Sequence, residues 1–446
     1  MTNKTINSVV LATLDSLTKF KNKLAYYLAI FAMVFGSTFG SINSAYAADA
    51  TTDTAVTANA AITEGGTTIT FDGNADDTLT MTAAEAEVFT GAVTTAVTEN
   101  GSLAFVGQDA AAPFVTTFNA AVGTSALTLN AITIGTAVLG GAATFDSDVF
   151  VKSLSLVSGN HANEVALGTF SGNLTTTTIV LNDLTDGVAK LVIAGTGTTV
   201  AGTIDAASTG EGILQITGAG TTISGEVGIG TTDLAAIDVN ATTTFSSATE
   251  AVAYTVDADT TFTGAVLANT SFAVATSGTD VTLSAASTIG AATLASGTTL
   301  TSAGILTTGD LTNTSGKIFL SENANAADNI LLVATGELHI GKAVASGETI
   351  NTGTTSDANS FPTTAKVYLP SNLSSGETIL WVDTGGWNED GASTVGSSAT
   401  ALNLILQDTA LVDYSVAGAT NTLTITATDR TASVIATQLG VTSDTV

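Results

Sequence analysis

The chain is 446 residues long, 44% hydrophobic and only 11% charged, with 44 glycines and no cysteine. Its formal charge of −29, from 39 acidic residues against ten basic ones, makes electrostatic binding to nucleic acid unfavourable. The lack of cysteine excludes disulfides, a thiolate nucleophile and cysteine-type zinc sites. A mean hydropathy of +0.41 argues against an intrinsically disordered acidic chain.

The N-terminal region has the order of a secretory signal peptide. Lysines at positions 19, 21 and 23 precede the apolar run 24–36 (LAYYLAIFAMVFG), which is too short to span a bilayer. An Ala-Tyr-Ala cleavage pattern follows at 45–47. We therefore predict that residues 1–47 are a cleaved signal peptide, with an uncleaved amphipathic anchor as the alternative. Since the later sequence has no uninterrupted apolar run of spanning length, we expect an exported protein and not an integral helical membrane protein.

Two neighbouring segments of equal length repeat each other in the middle of the chain. In Lys190–Gly212 (KLVIAGTGTTVAGTIDAASTGEG) and Ile213–Ala235 (ILQITGAGTTISGEVGIGTTDLA), the 14 aligned positions from Leu191/Leu214 to Ile204/Val227 include seven identities. A shorter motif, in which phenylalanine is followed by x-Gly-x and an apolar residue, recurs within 88–93, 169–174 and 261–266. A repeat of this length is typical of solenoid proteins.

Within each copy, apolar residues alternate with threonine, alanine or glycine, which is the pattern of short strands joined by turns. This period favours a parallel β-helix, in which each repeat is one coil, over an array of β-sandwiches whose modules need about 100 residues each. We predict an all-β fold: a β-solenoid of irregular coils of about 17 to 25 residues, with a C-terminal β-rich cap.

The repeat pattern divides the exported chain into three parts. Residues 48–140 are predicted to form an N-terminal β-rich region or cap, 141–347 the solenoid repeats, and 348–446 the C-terminal β-rich cap region. The last part contains both tryptophans and several strand-like segments outside the repeat, and its end, 429–446 (DRTASVIATQLGVTSDTV), has a helical pattern.

The L-x-I-x-G-x-G-T-T-[VI]-x-G-x-[IV] repeats, the extended signal region and the Gly/Thr/Ala bias resemble the passenger regions of autotransported surface proteins. The resemblance is to rickettsial outer-membrane surface antigens and related alphaproteobacterial repeat proteins, and it covers roughly 145–446. It implies a cell-surface location and a C-terminal membrane barrel, a pattern that this sequence does not contain. Two expectations stay open: a fragment cut before the barrel, or a barrel-less secreted relative such as a surface-layer-like protein.

The sequence gives little indication of catalysis. His161 and His339 are its two histidines, and as isolated residues each is expected to be solvated or packed. No G-x-S-x-G nucleophile elbow occurs. Gly195–Val200 lacks the third glycine of a dinucleotide-binding motif, and Gly336–Lys342 is followed by Ala343 where a phosphate-binding loop needs Ser or Thr. We therefore predict no enzyme activity and no catalytic or cofactor-binding residues.

Calcium is the one cofactor that the sequence leaves open, without assigned metal ligands. Asp146 with Asp148, and Asp257 with Asp259, place carboxylates two positions apart. The G-G-x-G-x-D repeat of calcium-binding coils is missing, which favours solvated acids that keep the protein soluble. A β-helical carbohydrate-active enzyme would need paired carboxylates gathered with aromatic and basic residues in one groove.

These patterns together predict an exported, acidic β-repeat protein of the cell surface with a structural or adhesive function. The alternatives are a surface-layer-like lattice organised by calcium and, less favoured, the β-helical carbohydrate-active enzyme. The expected partners are other copies of the chain, cell-envelope components, and host or environmental surfaces. Contact with a membrane is expected only if the chain is a fragment, through the C-terminal barrel that such a fragment would lack.

Overall fold

The computed structural model of the chain describes residues 56–58, 68–71, 77–82, 87–107, 115–161, 164–184, 187–230, 232–309 and 311–320. Beyond residue 320 it describes 324–326, 330–333, 335–341, 349–352, 359–360, 366–369, 375–382, 387–389, 393–394, 404–406, 412–419 and 422–439. The predicted signal peptide lies outside the described residues.

Apart from one helix near the C-terminus, the regular elements of the described residues are short β-strands. The first group is β1 (Val56–Ala58), β2 (Ile69–Phe71), β3 (Thr78–Thr82), β4 (Glu87–Phe89), β5 (Val93–Thr95), β6 (Ser102–Val106), β7 (Val115–Phe118), β8 (Leu129–Ile134), β9 (Gly141–Phe145), β10 (Val149–Val157), β11 (Val165–Phe170), β12 (Leu174–Asn182) and β13 (Val188–Ile193). The second group is β14 (Thr199–Ala206), β15 (Glu211–Ile216), β16 (Thr221–Ile223), β17 (Leu234–Val239), β18 (Thr243–Phe245), β19 (Thr249–Val256), β20 (Thr260–Phe262), β21 (Val266–Val274), β22 (Asp280–Leu283), β23 (Ser287–Leu294), β24 (Thr299–Ser302), β25 (Leu306–Thr308) and β26 (Leu311–Thr314). The third group is β27 (Lys317–Leu320), β28 (Ala324–Ala326), β29 (Ile330–Val333), β30 (Glu337–Ile340), β31 (Thr349–Thr352), β32 (Asn359–Ser360), β33 (Lys366–Leu369), β34 (Thr378–Val382), β35 (Trp387–Glu389), β36 (Ser393–Thr394), β37 (Leu404–Leu406), β38 (Val412–Ala419), β39 (Thr422–Asp429) and the helix α1 (Ala432–Leu439).

The strands stack in parallel on three faces of a β-solenoid. In one coil, β18 lies on face 1, while β19 shifts register between Ala251 and Ala253 and supplies both face 2 and face 3. In the next coil, β20 and β21 repeat this arrangement. Further along the chain, faces 2 and 3 are formed by two separate strands, β25 and β26, which pair with the two halves of β23. The predicted all-β parallel solenoid is therefore confirmed.

Face 1 keeps one register through more than ten turns. Each residue of this row pairs with the next: Ile69, Val93, Val122, Val149, Leu174, Val200, Ile223, Phe245, Phe262, Leu283, Ser302, Leu320 and Ile340. At about 4.8 Å per turn, the row extends over on the order of 55 Å.

Coil length varies more than the sequence pattern predicts. The short coil that begins at Phe245 returns to the same register at Phe262, whereas the long coil that begins at Ser102 returns only at Ala131. Between Val149 and Ile340 the coils stay close to the predicted range of about 17 to 25 residues. Longer coils lie towards the two ends of the stack, since the coil that begins at Glu337 likewise returns only at Lys366. The parallel pairing runs without a break from β6 through β8 to β10. It therefore crosses residue 141, the predicted start of the solenoid repeats.

Inward side chains of the three faces form one apolar core. On face 3, the stacked rings of successive coils have centroids 4.7 to 5.3 Å apart and belong to Phe89, Phe118, Phe145 and Phe170. Aliphatic residues such as Ile193 and Ile216 continue this row. The buried Tyr254 hydroxyl donates to Oγ1 of Thr249 at 3.1 Å. Removal of these rows from water is the main stabilising contribution to the stack.

The two segments that repeat each other in sequence correspond to two coils that lie directly on each other. Leu191 pairs with Leu214 inside face 3. At the corner that follows, a Cβ on Gly218 would lie 2.0 Å from the carbonyl oxygen of Gly195. Glycine recurs at this corner because the backbones of successive coils approach too closely for a side chain.

The C-terminal part departs from parallel stacking. β34 pairs in parallel with β31 but antiparallel with β39, which also forms an antiparallel pair with β38. α1 follows β39, in agreement with the helical pattern predicted for the end of the chain. Antiparallel strands at the end of a parallel stack limit the open edge that could pair with another chain.

Candidate functional site

The outer surface of face 1 carries a continuous row of threonines. In β16, β18 and β20 the first and third residues are buried and the middle residue faces outward. We call the outward row the threonine ladder; its members pair in the order Thr199, Thr222, Thr244, Thr261, Thr282 and Thr301. β-Branched threonine suits a pleated, half-buried surface, and neighbouring rungs of a sheet lie about 4.8 Å apart.

The threonines that face inward on the same strands form hydrogen bonds within the protein through their hydroxyls. Each donates a hydrogen bond of 2.6 to 2.8 Å to a carbonyl of the preceding turn: Thr221 to Gly218, Thr243 to Ala241, and Thr260 to Ala258. The hydroxyls of the threonine ladder make no such bond within the part of the chain that the structure describes. They therefore remain available to solvent or to a ligand.

An open depression of about 310 Å³ lies across the middle of the threonine ladder. Thr244, Thr261 and Thr282 contribute to its lining, with Asp259 and Asp280 from adjacent coils at one side. The Asp280 backbone amide donates to Oδ1 of Asp259 at 2.9 Å. The depression thus offers hydroxyls, which donate and accept hydrogen bonds, beside carboxylate oxygens, which accept them.

Beyond Thr301 the same outward row continues with aromatic side chains. Phe319, His339 and Tyr368 occupy successive rungs, and we call them the aromatic ladder. Ring centroids lie 4.1 Å apart between Phe319 and His339 and 4.2 Å apart between His339 and Tyr368, with only 7° between the second pair of planes. The His339 side chain is consequently only 12% exposed.

Glu337 lies beside the aromatic ladder and connects its polar groups. Its carboxylate is 3.1 Å from Nε2 of His339 and 3.7 Å from Nζ of Lys317, and it accepts a hydrogen bond of 3.3 Å from the Tyr368 hydroxyl. Burial alone would raise the pKa of Glu337, but these groups outweigh burial and the pKa lies below its usual value. Burial also lowers the pKa of His339, and its bond to Glu337 opposes this only in part. At neutral pH the geometry favours a neutral imidazole beside a carboxylate.

Carboxylates lie at two places along face 1. Asp259 and Asp280 belong to adjacent coils beside the depression. Glu337 is three rungs beyond Asp280, in the order Asp280, Thr299, Lys317, Glu337. Within the described ranges, no group of three or more His, Asp or Glu residues is placed to hold a metal ion.

The carboxylates considered as calcium ligands all contact the coil that follows them. Each accepts a hydrogen bond of 2.7 to 3.4 Å from that coil: Asp146 from Ser171, Asp148 from Asn173, Asp257 from Thr276, and Asp259 from Asp280. In the described structure, these aspartates therefore link one coil to the next.

The other candidate motifs are distributed over separate parts of the solenoid. His161 is exposed at a turn, where its backbone amide donates to Glu164 at 3.1 Å. The glycine-spaced segment that begins at Gly336 forms strand β30 and not a loop, while Lys342 lies outside the described residues. Gly195–Val200 forms a corner and the start of β14. His339 is packed, as expected, but it is not isolated.

The sequence contains a signal for the aromatic ladder that its repeat period does not reveal. Three tetrapeptides, Lys-Ile-Phe-Leu at 317, Glu-Leu-His-Ile at 337 and Lys-Val-Tyr-Leu at 366, share the order charged, apolar, aromatic, apolar. The second interval between them is longer than the first, which hides them from a search at fixed period.

Comparisons with known proteins returned no match to the chain among protein-family models, curated proteins or solved structures. Among the described residues, no helix has the length and apolar character needed to cross a membrane. Function is therefore inferred from the chemistry of face 1 and from the sequence patterns.

Proposed function

We propose that the chain is an exported cell-surface protein with a structural and adhesive function, organised like the passenger regions of autotransported proteins. The observation that carries the proposal is the unbroken stack of coils on face 1 from Ile69 to Ile340. A solenoid of this kind is an elongated scaffold that displays outward side chains at a fixed spacing. Repeated weak contacts along such a surface add up to strong attachment.

The sequence supports a location outside the cell. The lysines, the apolar run and the Ala-Tyr-Ala pattern that precede residue 48 have the order of an export signal. The formal charge of −29 supports solubility and discourages the edges of neighbouring scaffolds from pairing. The partners in this proposal are other copies of the chain, envelope components or surfaces in the environment. The proposed activity is non-covalent binding to these partners.

Export is tested with intact bacterial cells that express the chain. External protease should digest the wild-type chain while a cytoplasmic marker survives. Phe31→Arg combined with Val34→Arg interrupts the apolar run, so the chain should remain inside the cell and be protected. Thr38→Arg adds charge just after the run and serves as the control, with export unchanged. A protected wild-type chain in the cytoplasmic fraction would contradict the proposal.

Adhesion is tested by deleting the gene and restoring it. Loss of the chain should reduce attachment of cells to each other or to a surface several-fold. The wild-type chain should restore attachment, and the export-defective double variant should not. If deletion changes neither attachment nor the integrity of the envelope, the structural and adhesive function is wrong even where export is observed.

A further inference from the structure

The threonine and aromatic ladders form one track along the solenoid axis. Their nine side chains occupy successive outward rungs of face 1 from Thr199 to Tyr368. The rungs are about 4.8 Å apart. This spacing is close to the length of one sugar residue in an extended β-linked polysaccharide. A glycan lying parallel to the axis would therefore meet an equivalent side chain at each sugar.

The middle of the track has the groups that sugar hydroxyls require. Thr244, Thr261 and Thr282 offer hydroxyls that donate and accept hydrogen bonds, and they line the depression of about 310 Å³. Asp259 and Asp280 place carboxylate oxygens at the side of the same depression. Hydrogen bonds from hydroxyls to a carboxylate are stronger than those to a neutral acceptor. A cleft with polar groups at one side and the ladder as its floor fits a chain of sugars better than a single compact ligand.

The end of the track adds an apolar surface. Phe319 and Tyr368 flank His339, so their ring edges and not their covered faces are presented along the row. Such edges offer the C–H groups of a sugar ring a dispersion contact, and not stacking on a ring face. Binding sites for organic ligands generally combine apolar contact with a few placed polar groups, and this track has both.

Charge narrows the class of polysaccharide. The chain has a formal charge of −29, and Asp259 and Asp280 lie beside the binding track. A polyanion would meet like charge at the centre of the track, where Asp259 and Asp280 lie, which disfavours its binding. Lys317 and Lys366 lie only at the aromatic end. A neutral glycan has no such penalty and can donate hydroxyl hydrogens to the two carboxylates.

We propose that the outer surface of face 1 binds a neutral, extended polysaccharide parallel to the solenoid axis, with Thr244, Thr261 and Thr282 as its central contacts. This inference rests on the adhesive function proposed above and names its ligand class.

Binding is tested with the purified full chain and four probes. Insoluble cellulose, β-1,3-glucan and mannan represent neutral polysaccharides of different linkage, and polygalacturonate represents a polyanion. At least one neutral probe should remove the chain from solution, and its soluble hexasaccharide should compete. Polygalacturonate should bind at least severalfold more weakly.

Two double variants distinguish binding at the track from binding elsewhere on the solenoid. Thr244→Val with Thr261→Val removes two outward hydroxyls of face 1 but keeps the β-branched shape. Loss of two ligand hydrogen bonds should weaken binding roughly tenfold. Thr255→Val with Thr293→Val makes the same change on the outward side of face 3 and should leave binding unchanged. Both variants should keep the urea midpoint of the wild type, since none of the four hydroxyls faces the core.

The inference is overturned if no neutral probe is retained, if both double variants lose binding equally, or if polygalacturonate binds best. Inhibition of ice recrystallisation that depends on Thr244 and Thr261, without glycan binding, would assign the ladder to ordered water instead. Protease accessibility on intact cells does not depend on glycan binding. A displayed, adhesive chain that binds none of the probes would therefore overturn the ligand class alone, and an undisplayed chain would overturn the proposed function.

Discussion

Some corners of the solenoid require glycine because the backbones of successive coils lie too close together there for a side chain. A Cβ on Gly195 would lie 1.7 Å from the carbonyl oxygen of Ser171. A Cβ on Gly309 would have its nearest neighbour, the carbonyl carbon of Gly290, 3.1 Å away. Neither Gly195 nor Gly309 has a positive φ. The approach of the neighbouring coil, and not the backbone conformation, therefore distinguishes these two positions.

Gly195→Ala should lower the free energy of unfolding by about 3 kcal/mol, because the two coils must separate to admit the methyl group. Gly309→Ala is the matched control and should cost less than about 1 kcal/mol, since a small shift relieves its contact. Urea denaturation followed by circular dichroism measures both changes. Equal losses in the two variants would show that close approach between coils is not what requires glycine at the corner.

The three strands β27, β30 and β33 form an element that joins coils of unequal length. Their aromatic residues stack although the connection from His339 to Tyr368 is longer than the one from Phe319 to His339. Glu337 holds the middle strand to Lys317 on one side and to Tyr368 on the other. Since His339 also bonds to Glu337, the state of its imidazole affects the whole element.

Acid should weaken this element through His339. Burial keeps the pKa of His339 below its ordinary value of 6.5, so the unfolded chain takes up the proton first. The associated loss of stability is absent well above pH 6.5 and grows as the pH falls towards the folded-state pKa. Below the ordinary 4.5 of Glu337, whose folded pKa is lowered, further stability is lost. The urea midpoint of the wild type, measured at steps from pH 7.5 to 4, records both contributions.

His339→Phe keeps a stacked ring but removes the titrating group. The difference in urea midpoint between wild type and this variant should therefore change between pH 7 and pH 5, to the disadvantage of the wild type at the lower pH. His161→Gln, at the other histidine, is the control and should follow the wild type at every pH. A wild-type curve parallel to that of His339→Phe would show that His339 does not titrate in this range.

The sequence predicts the strands of this fold better than their lateral alignment. The alternation of apolar residues and the repeat period can be recognised in the sequence around Leu191 and Leu214. These two coils have equal length, so equivalent residues lie in register. Phe319 and His339 give no such signal, since their alignment depends on how many residues the intervening connections take up. The threonine ladder cannot be predicted from the sequence, for a different reason. In a chain so rich in threonine, only the register distinguishes an outward Thr244 from an inward Thr243.

At the scale of the whole molecule, stacking brings acidic side chains of different coils together. The pKa of Asp238 is raised by burial, with Lys190 opposing the shift and Asp257 adding to it. The pKa of Asp205 is likewise raised by burial, against a hydrogen bond from Thr203 and with a further contribution from Glu226. At these two positions burial of the charged form is the main cost, and the carboxylates of Asp257 and Glu226 add a smaller repulsion.

Asp238→Asn should stabilise the solenoid at pH 7, by on the order of 0.5 kcal/mol for a partly exposed position. Because the folded pKa of Asp238 is raised, its charged form costs stability at neutral pH, and the cost vanishes below the ordinary value of 3.8, where both states are protonated. The gain in urea midpoint should therefore disappear at pH 3.5. Asp257→Asn removes the neighbouring charge but keeps an oxygen that can accept the hydrogen bond from Thr276, so it should stabilise less, by an amount that molar-range NaCl abolishes through screening. If neither variant gains stability at pH 7, repulsion between coils is not a limit on this scaffold, and its acidic residues are tolerated without cost.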